Sequence, residues 1–376
     1  MQEIVQGIAH LPEVIAKERK RKLFLVTDAS YPFLSIRSDV EALAMEKVVF
    51  SDFTSNPVFE DVCKGVRLFR ESGCEALMAI GGGSAIDVAK CIKMAVTGLE
   101  NVTGKDLFGS QQVNGSTGQR VNGLLPFIAI PTTAGTGSES THNAVMYYEG
   151  AKQTLTNDGI LPDYAVLEPS VLKTLPLYQK KCTMLDALCQ GIESWWSVNA
   201  TDESRHYAKA AVEGIVAHWE GYIFENSDEA AAQTMLAANY GGRAINISAT
   251  TAAHAMSYKI TSLYGLPHGH AVAVCLPEIW EYMIGHSDKC IDPKGVAYMQ
   301  EVFADIAHAL GCGDAREAVR WFRRLMQRLG MQNPVGGNRE EELTVLSRSV
   351  NPVRLKNNPV AIDEQTARML YEHIVR

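Results

Sequence analysis

Apolar residues in the first half of the chain fall in short unbroken runs, with longer stretches of helical spacing between them. Leu23-Phe24-Leu25-Val26-Thr27-Asp28 contains one such run, and the segments 47–50, 77–80, 127–130 and 164–167 contain the others. Runs of this length without alternation fit strands covered on both faces. Asn56-Pro57 breaks the chain, and residues 58–71 then carry Val62, Val66 and Phe69 on one helical face. The run at 77–80 leads directly into Gly81-Gly82-Gly83-Ser84 and a predicted helix to about residue 96. Strands alternating with helices predict a mainly parallel sheet covered by helices. The polar segment 98–125, with Gly98, Gly104, Gly109, Gly115, Gly118 and Gly123, reads as a surface excursion.

From about Leu172 the period changes. Helical stretches are predicted at 183–199, 202–224, 228–263, 271–284, 295–311, 314–329 and 361–375, and strand signals almost vanish. The expectation is therefore an α/β domain over 1–175 and an all-α domain over 176–376. The length of 376 residues also favours two cores.

Composition narrows the classes of function. Hydrophobic residues make up 46% and charged residues 21%, an ordinary globular balance. A net charge of -8 argues against a broad nucleic-acid-binding face. The basic run at 17–22 (KERKRK) joins a predicted helix to a predicted strand and reads as a solvated connection. The eight cysteines form no CxxC pair, and most lie in apolar stretches, as free thiols of a reducing compartment would. Residues 4–15 lack a signal-peptide pattern, and no apolar run is long enough to span a bilayer. The expectation is a cytoplasmic protein without membrane or nucleic-acid partners.

Two corners carry candidate chemistry. A strand entering GGGS and then a helix suits an anion, because Gly82 and Gly83 allow close backbone approach and the helix start offers amides and a positive dipole end. Ser84 adds a hydroxyl, and Asp87 would cap Ser84 or contact the ligand. The motif is not GxGxxG, and a plain tight turn would also read this way. Pro131-Thr132-Thr133-Ala134-Gly135-Thr136-Gly137-Ser138-Glu139 follows the next strand and is dense in hydroxyls. Two such corners at adjacent strand ends would line one crevice. Asp28 ends the first of the runs above; its carboxylate would accept from a ribose and repel a 2′-phosphate, favouring NAD(H) over NADP(H), or would serve as a loop cap.

Further on, Asp186 lies near the start of a predicted helix, with Thr183 as a possible cap and Gln190 on the same face at i+4. His254 is expected late in another helix, and His268 and His270 in the turn beyond it. One carboxylate and two imidazoles suit a divalent transition metal, although spacing alone does not bring them together.

GGGSAIDVAK (81–90), PTTAGTGSES (131–140), LPDYAVLEPSVLKTLP (161–176), DALCQGIES (186–194), HAMSYKITSLYGLPHG (254–269) and NPVRLKNNPV (351–360) occur in this order. Together they resemble the iron-containing alcohol dehydrogenase family, over nearly the whole chain. The resemblance implies the dehydroquinate synthase-like fold, with a dinucleotide-binding α/β domain followed by a helical metal- and substrate-binding domain. It implies a metal-dependent, NAD(P)-linked reduction of a small aldehyde to an alcohol, and a homodimer. Cofactor contacts are implied for Asp28, Gly82, Gly83, Ser84, Thr132, Thr133 and Thr136, and further for Ser138, Asn143 and Lys152. Metal ligands are implied at Asp186, His254 and His268.

Two positions depart from the family pattern. Gln190 and Tyr258 stand where histidines are usual, so Gln190 is at most a weak fourth ligand, and Fe2+ and Zn2+ both remain open. Within the family, residues 173–211 and the HAMSY stretch are similar to phosphonoacetaldehyde reductases, which act in phosphonate biosynthesis. A phosphonate would need cationic partners, for which Lys259, Arg243, Arg354, Lys356 and His270 are candidates. Tyr258 and His270 are candidates for returning a proton to the alkoxide. Three other readings stay open. One is a general alcohol or glycerol(-phosphate) dehydrogenase on this fold. Another is a silent binding protein with a degraded metal site. The third, a dehydroquinate-synthase-like cyclase, is disfavoured by aspartate rather than glutamate at 186.

Overall fold

Six strands form one all-parallel sheet: β1 (Glu3–Gln6), β2 (Lys22–Thr27), β3 (Glu46–Phe50), β4 (Ala76–Gly81), β5 (Phe127–Pro131) and, after a separate hairpin of β6 (Asn143–Tyr148) and β7 (Ala151–Thr156), β8 (Tyr164–Leu167). Their spatial order is β1-β8-β5-β4-β2-β3. The computed structural model describes residues 2–98, 103–108 and 125–376. Two compact units result, Met1–Leu175 and Pro176–Arg376.

Burial on both faces explains the apolar runs of β2, β4, β5 and β8, whereas the edge strand β3 buries only Phe50 and leaves Val49 exposed. Phe24, Val26, Leu77, Ala79, Phe127 and Ala129 point into a core shared with α3 (Phe59–Ser72) and α4 (Gly83–Gly98), following α1 (Leu11–Glu18) and α2 (Arg37–Glu41). The alternate residues Leu23, Leu25, Met78, Ile80, Ile128 and Ile130 are equally buried. Each of the Val, Leu, Ile, Met and Phe side chains among them contributes about 1.5–3 kcal/mol on leaving water. After β2 the chain steps outward to β3, and it then returns to the other side of β2 as β4. That reversal opens a switch point at the carboxyl ends of β2 and β4, where Asp28 and Gly82 lie.

Three features of this unit differ from the expectation. Strand β1 has only one buried residue and carries little apolar signal. The β6–β7 hairpin is polar on one side, as a half-exposed ribbon is. Within the predicted excursion, α5 (Gly104–Phe108) buries Leu107 in the core and packs Phe108 against Phe59 and Tyr148. The rest of that excursion, at 99–102 and 109–124, lies outside the described residues.

The second unit contains α6 (Leu177–Trp196), α7 (Asp202–Glu220), α8 (Asp228–Ser248), α9 (Ala252–Tyr264), α10 (His268–Gly285), α11 (Val296–Ala309), α12 (Ala315–Leu329), α13 (Arg339–Ser349), α14 (Pro352–Leu355) and α15 (Glu364–Ile374). It has no strand among the described residues. Among the described residues no helix is long and apolar enough to cross a membrane. All eight cysteines are free thiols.

The stretch predicted as one helix over 228–263 is two. Ala249 adopts φ +57° and ends α8. Such a conformation costs an L-residue about 1–3 kcal/mol. Buried bonds offset it: Asn357 donates to the carbonyls of Ser248 (2.8 Å) and Thr250 (3.0 Å), and Ser197 donates to that of Ser248 (2.9 Å). The helix over 183–199 also begins earlier than its sequence suggests. Pro176 precedes its first turn, and the Thr183 hydroxyl bonds back to the Gln179 carbonyl (2.9 Å) instead of capping.

Candidate functional site

The glycine corner and the hydroxyl loop meet within the first unit. Gly82 donates its N–H to Asp28 Oδ2 (3.0 Å), so the carboxylate ending β2 braces the turn ending β4. The other Asp28 oxygen accepts from Ser30 N–H (2.9 Å) and from the Ser30 hydroxyl. Asp28 is thus a turn brace between the carboxyl end of β2 and the turn that ends β4. A Cβ on Gly83 would come within 3.0 Å of Thr136, so glycine there allows the two corners to touch. Gly82, Gly83, Ser84, Thr133 and Thr136 remain partly accessible, while Thr132 is buried and donates its N–H to the Gly81 carbonyl (3.0 Å). Accessible amides at the start of α4 beside threonine hydroxyls fit a pyrophosphate.

Asp87 and two of the implied cofactor residues, Ser138 and Asn143, are tied into an internal network. The Asp87 carboxylate accepts from the Ser138 hydroxyl (2.6 Å) and Val145 N–H (2.9 Å), and Ser84 donates to the Ser55 carbonyl (2.5 Å). Asp87 therefore neither caps Ser84 nor faces outward. Asn143 Oδ1 accepts from Thr156 (2.7 Å). Lys90, fully buried, donates to Ser138 (3.0 Å), Thr141 (3.0 Å) and the Asn143 carbonyl (2.6 Å). Burial lowers its pKa to about 8, against the pull of Asp87 and Glu139, so it stays an ammonium at neutral pH. The sequence hid this role, because a lysine in a helix ordinarily reads as solvated. Lys152 is exposed on β7.

In the second unit the polypeptide gathers Asp186 from α6, His254 from α9 and His268 from α10. One ligand atom from each lies within 4.8 Å of the others. Asp186 Oδ1 is 3.4 Å from His254 Nε2 and 3.9 Å from His268 Nε2. Ligand atoms around a tetrahedral cation bound at ~2.1 Å stand about 3.4 Å apart. His254 Nε2 is buried and has no hydrogen-bond partner. A buried imidazole nitrogen facing a carboxylate oxygen, with a second imidazole beside them, is a donor set that fits a divalent transition metal. Burial alone would lower the His254 pKa, but Glu193 and Asp186 outweigh it and raise it to about 9. That field favours a cation.

The helix break creates this geometry. It places His254 in the first turn of α9, and His268 is the first residue of α10, where the sequence suggested a late helical position and a turn. Gly269 lets α10 approach α6: a Cβ there would lie 2.0 Å from the Cys182 carbonyl oxygen.

Glu193, fully buried and absent from the sequence-based candidates, accepts the Nδ1 proton of His254. The signal was present, since Asp186, Gln190 and Glu193 share one helical face at i, i+4 and i+7. Gln190 is buried one turn from Asp186, and its Oε1 faces Gly241 of α8, where an added Cβ would lie 3.3 Å away.

Tyr258 stacks parallel on the His268 ring, with centroids 5.7 Å apart, and its hydroxyl accepts from Arg354 (2.9 Å). Arg354 is thereby joined to the histidine cluster. The other basic candidates are placed differently. Arg243 lies over the Tyr207 ring (5.5 Å), Lys259 is half-buried on α9, and Lys356 is exposed just after α14. His270 is tied at both nitrogens, Nδ1 to the Tyr178 hydroxyl (2.8 Å) and Nε2 to the Gln332 carbonyl (2.9 Å). Burial lowers its pKa. The carbonyl can only accept, so Nε2 carries the proton and Nδ1 accepts from Tyr178. This ring holds the start of α10 and has no nitrogen left for proton transfer or for a phosphonate.

Residues 2–169 match the family described as iron-containing alcohol dehydrogenase, and residues 181–375 match its C-terminal part. A phosphonoacetaldehyde reductase of Streptomyces viridochromogenes is 32% identical over 333 residues, covering 86% of this chain and 82% of that protein. The structure of an iron-containing alcohol dehydrogenase from Thermococcus thioreducens superposes with a TM-score of 0.88 at 25% identity, covering 99% and 97% of the two chains. A sulfoacetaldehyde reductase from Bifidobacterium kashiwanohense, solved with NAD+, gives 0.85 at 25% identity, covering 99% and 96%.

Proposed function

The chain belongs to the iron-containing alcohol dehydrogenase family, a premise from which we propose that it reduces a small aldehyde carrying a tetrahedral anion, phosphonoacetaldehyde foremost, to the primary alcohol with NADH. The observation that carries the substrate class is Arg354, held against Tyr258, whose ring covers the metal-site residue His268. A guanidinium there can grip two oxygens of a phosphonate. The similarity to a phosphonoacetaldehyde reductase supports the same choice.

A divalent cation at this centre supplies Lewis-acid polarisation of a carbonyl oxygen, and a reduced nicotinamide supplies the hydride. Asp186, His254 and His268 hold the cation. Gly82, Gly83, Ser84, Thr133 and Thr136 seat the pyrophosphate. Asp28 disfavours a 2′-phosphate by charge, which selects NADH over NADPH. Arg354 orients the anionic end of the substrate, and Tyr258 keeps a hydroxyl proton beside the cluster for return to the alkoxide.

The test is cofactor oxidation by protein reconstituted separately with Fe2+ and Zn2+, against phosphonoacetaldehyde, sulfoacetaldehyde and propanal. The expected result is a kcat/KM for phosphonoacetaldehyde at least about 10-fold above that for propanal, as a charge-assisted contact of about 1.5–3 kcal/mol requires, with NADH preferred. Equal turnover of charged and neutral aldehydes would remove the phosphonate assignment and leave a general alcohol dehydrogenase.

A further inference from the structure

Glu193 offers more than a buried charge in α6. One of its oxygens, Oε1, accepts from Thr251 N–H (3.1 Å), the Thr251 hydroxyl (2.8 Å), Ala253 N–H (3.0 Å) and His254 N–H (3.3 Å). These are the donors that the break at Ala249 exposes at the start of α9. The other oxygen, Oε2, takes the proton of His254 Nδ1. The carboxylate is fully buried, and its desolvation is compensated by these bonds.

We infer that Glu193 is the positioning residue of the metal centre: it fixes His254 as the Nδ1–H tautomer, aims the Nε2 lone pair at the cation, and supplies the second negative charge that balances a divalent ion. This inference rests on reading Asp186, His254 and His268 as a metal centre. Asp186 alone leaves a divalent cation half neutralised, because both imidazoles bind as neutral ligands. Glu193, one imidazole away, completes the balance without touching the ion. A carboxylate behind a histidine ligand also raises that ligand's basicity. The effect matters more in this chain than in one with a further imidazole ligand, because the neutral Gln190 takes the place of that imidazole.

Glutamine at 193 keeps the shape and reverses the bonding. Its carbonyl oxygen serves the α9 donors, and its amide N–H2 then faces His254 Nδ1. The ring must accept there, so its proton moves to Nε2, where it blocks the metal lone pair. Thr251→Val is the contrasting change. It removes one bond to Glu193 and the bond from Trp196 Nε1 (2.9 Å), and it leaves the His254–Glu193 contact intact.

The experiment strips the full-length protein of metal and titrates Zn2+ and Co2+ against a chromophoric chelator, alongside thermal unfolding of the metal-free forms. Glu193→Gln is expected to weaken metal affinity about 10–100-fold, with little change in the metal-free unfolding midpoint. Thr251→Val is expected to lower the midpoint and leave metal affinity near that of the unaltered protein. Glu193→Asp, which keeps the charge but falls one methylene short, should lose affinity to an intermediate degree, and it decides the matter if the glutamine variant does not fold. Unchanged affinity in the folded Glu193 variants overturns the inference. So does an equal loss in Thr251→Val, which would reduce Glu193 to a helix cap. If the unaltered protein binds neither ion, the metal-centre reading itself fails.

Discussion

Asp186→Asn is expected to abolish aldehyde reduction, lowering kcat/KM by about 10³-fold or more, while NADH binding followed by fluorescence stays unchanged. Asp186 is the only negatively charged member of the three-residue cluster, and its Oδ1 is the atom both histidines face. Asparagine keeps the volume and removes the charge, so the affinity of a divalent cation collapses. Polarisation of the carbonyl by a metal is worth several kcal/mol at the transition state, and each 1.36 kcal/mol is about a tenfold change in rate. The cofactor corner belongs to the other unit and is built from Asp28, the 82–84 turn and the threonines. Unchanged NADH binding therefore separates loss of the metal centre from general damage. A variant retaining full activity after chelation would show that the reaction does not depend on this site.

Arg354→Ala is expected to lower kcat/KM for phosphonoacetaldehyde roughly 10–100-fold, the loss of one charge-assisted contact, while that for propanal changes little. The guanidinium leans on Tyr258, with 5.1 Å between it and the ring centroid, so removing it costs some packing. That cost falls on both substrates alike; only the anion contact discriminates between them. Arg354→Lys should recover part of the loss, because lysine keeps the charge but cannot bond two oxygens in a fork. Equal losses on the two aldehydes would make Arg354 a support for Tyr258 and nothing more.

The strands of the sheet could be read because Leu23–Val26 and residues 77–80 or 127–130 are apolar throughout, the mark of burial on both faces. Strand β1 and the β6–β7 hairpin could not, since edge and half-exposed ribbons carry weak or mixed patterns. The single helix expected over 228–263 shows what periodicity misses. Nothing in Ser248-Ala249-Thr250-Thr251 announces a break, because the strain at Ala249 is stabilised by Asn357, more than a hundred positions away in the chain. That break determines where His254 points. The candidate ligands themselves were named from residue type and family resemblance, and their convergence is visible only in three dimensions. The same holds for exclusions. His270 looks as available as His268 in the sequence, and only the bonds to Tyr178 and Gln332 remove it. Asp87 looks like a cap or a ligand contact, and it is instead held by Ser138 and Val145 beside the buried Lys90.

Anomalous diffraction from crystals of the metal-reconstituted protein, collected at the iron and zinc edges, tests the central claim most directly. The account predicts one peak roughly 2.0–2.2 Å from an Asp186 carboxylate oxygen, His254 Nε2 and His268 Nε2. A metal bound elsewhere in a catalytically active crystal, or these three side chains turned away from one another around no ion, would contradict it.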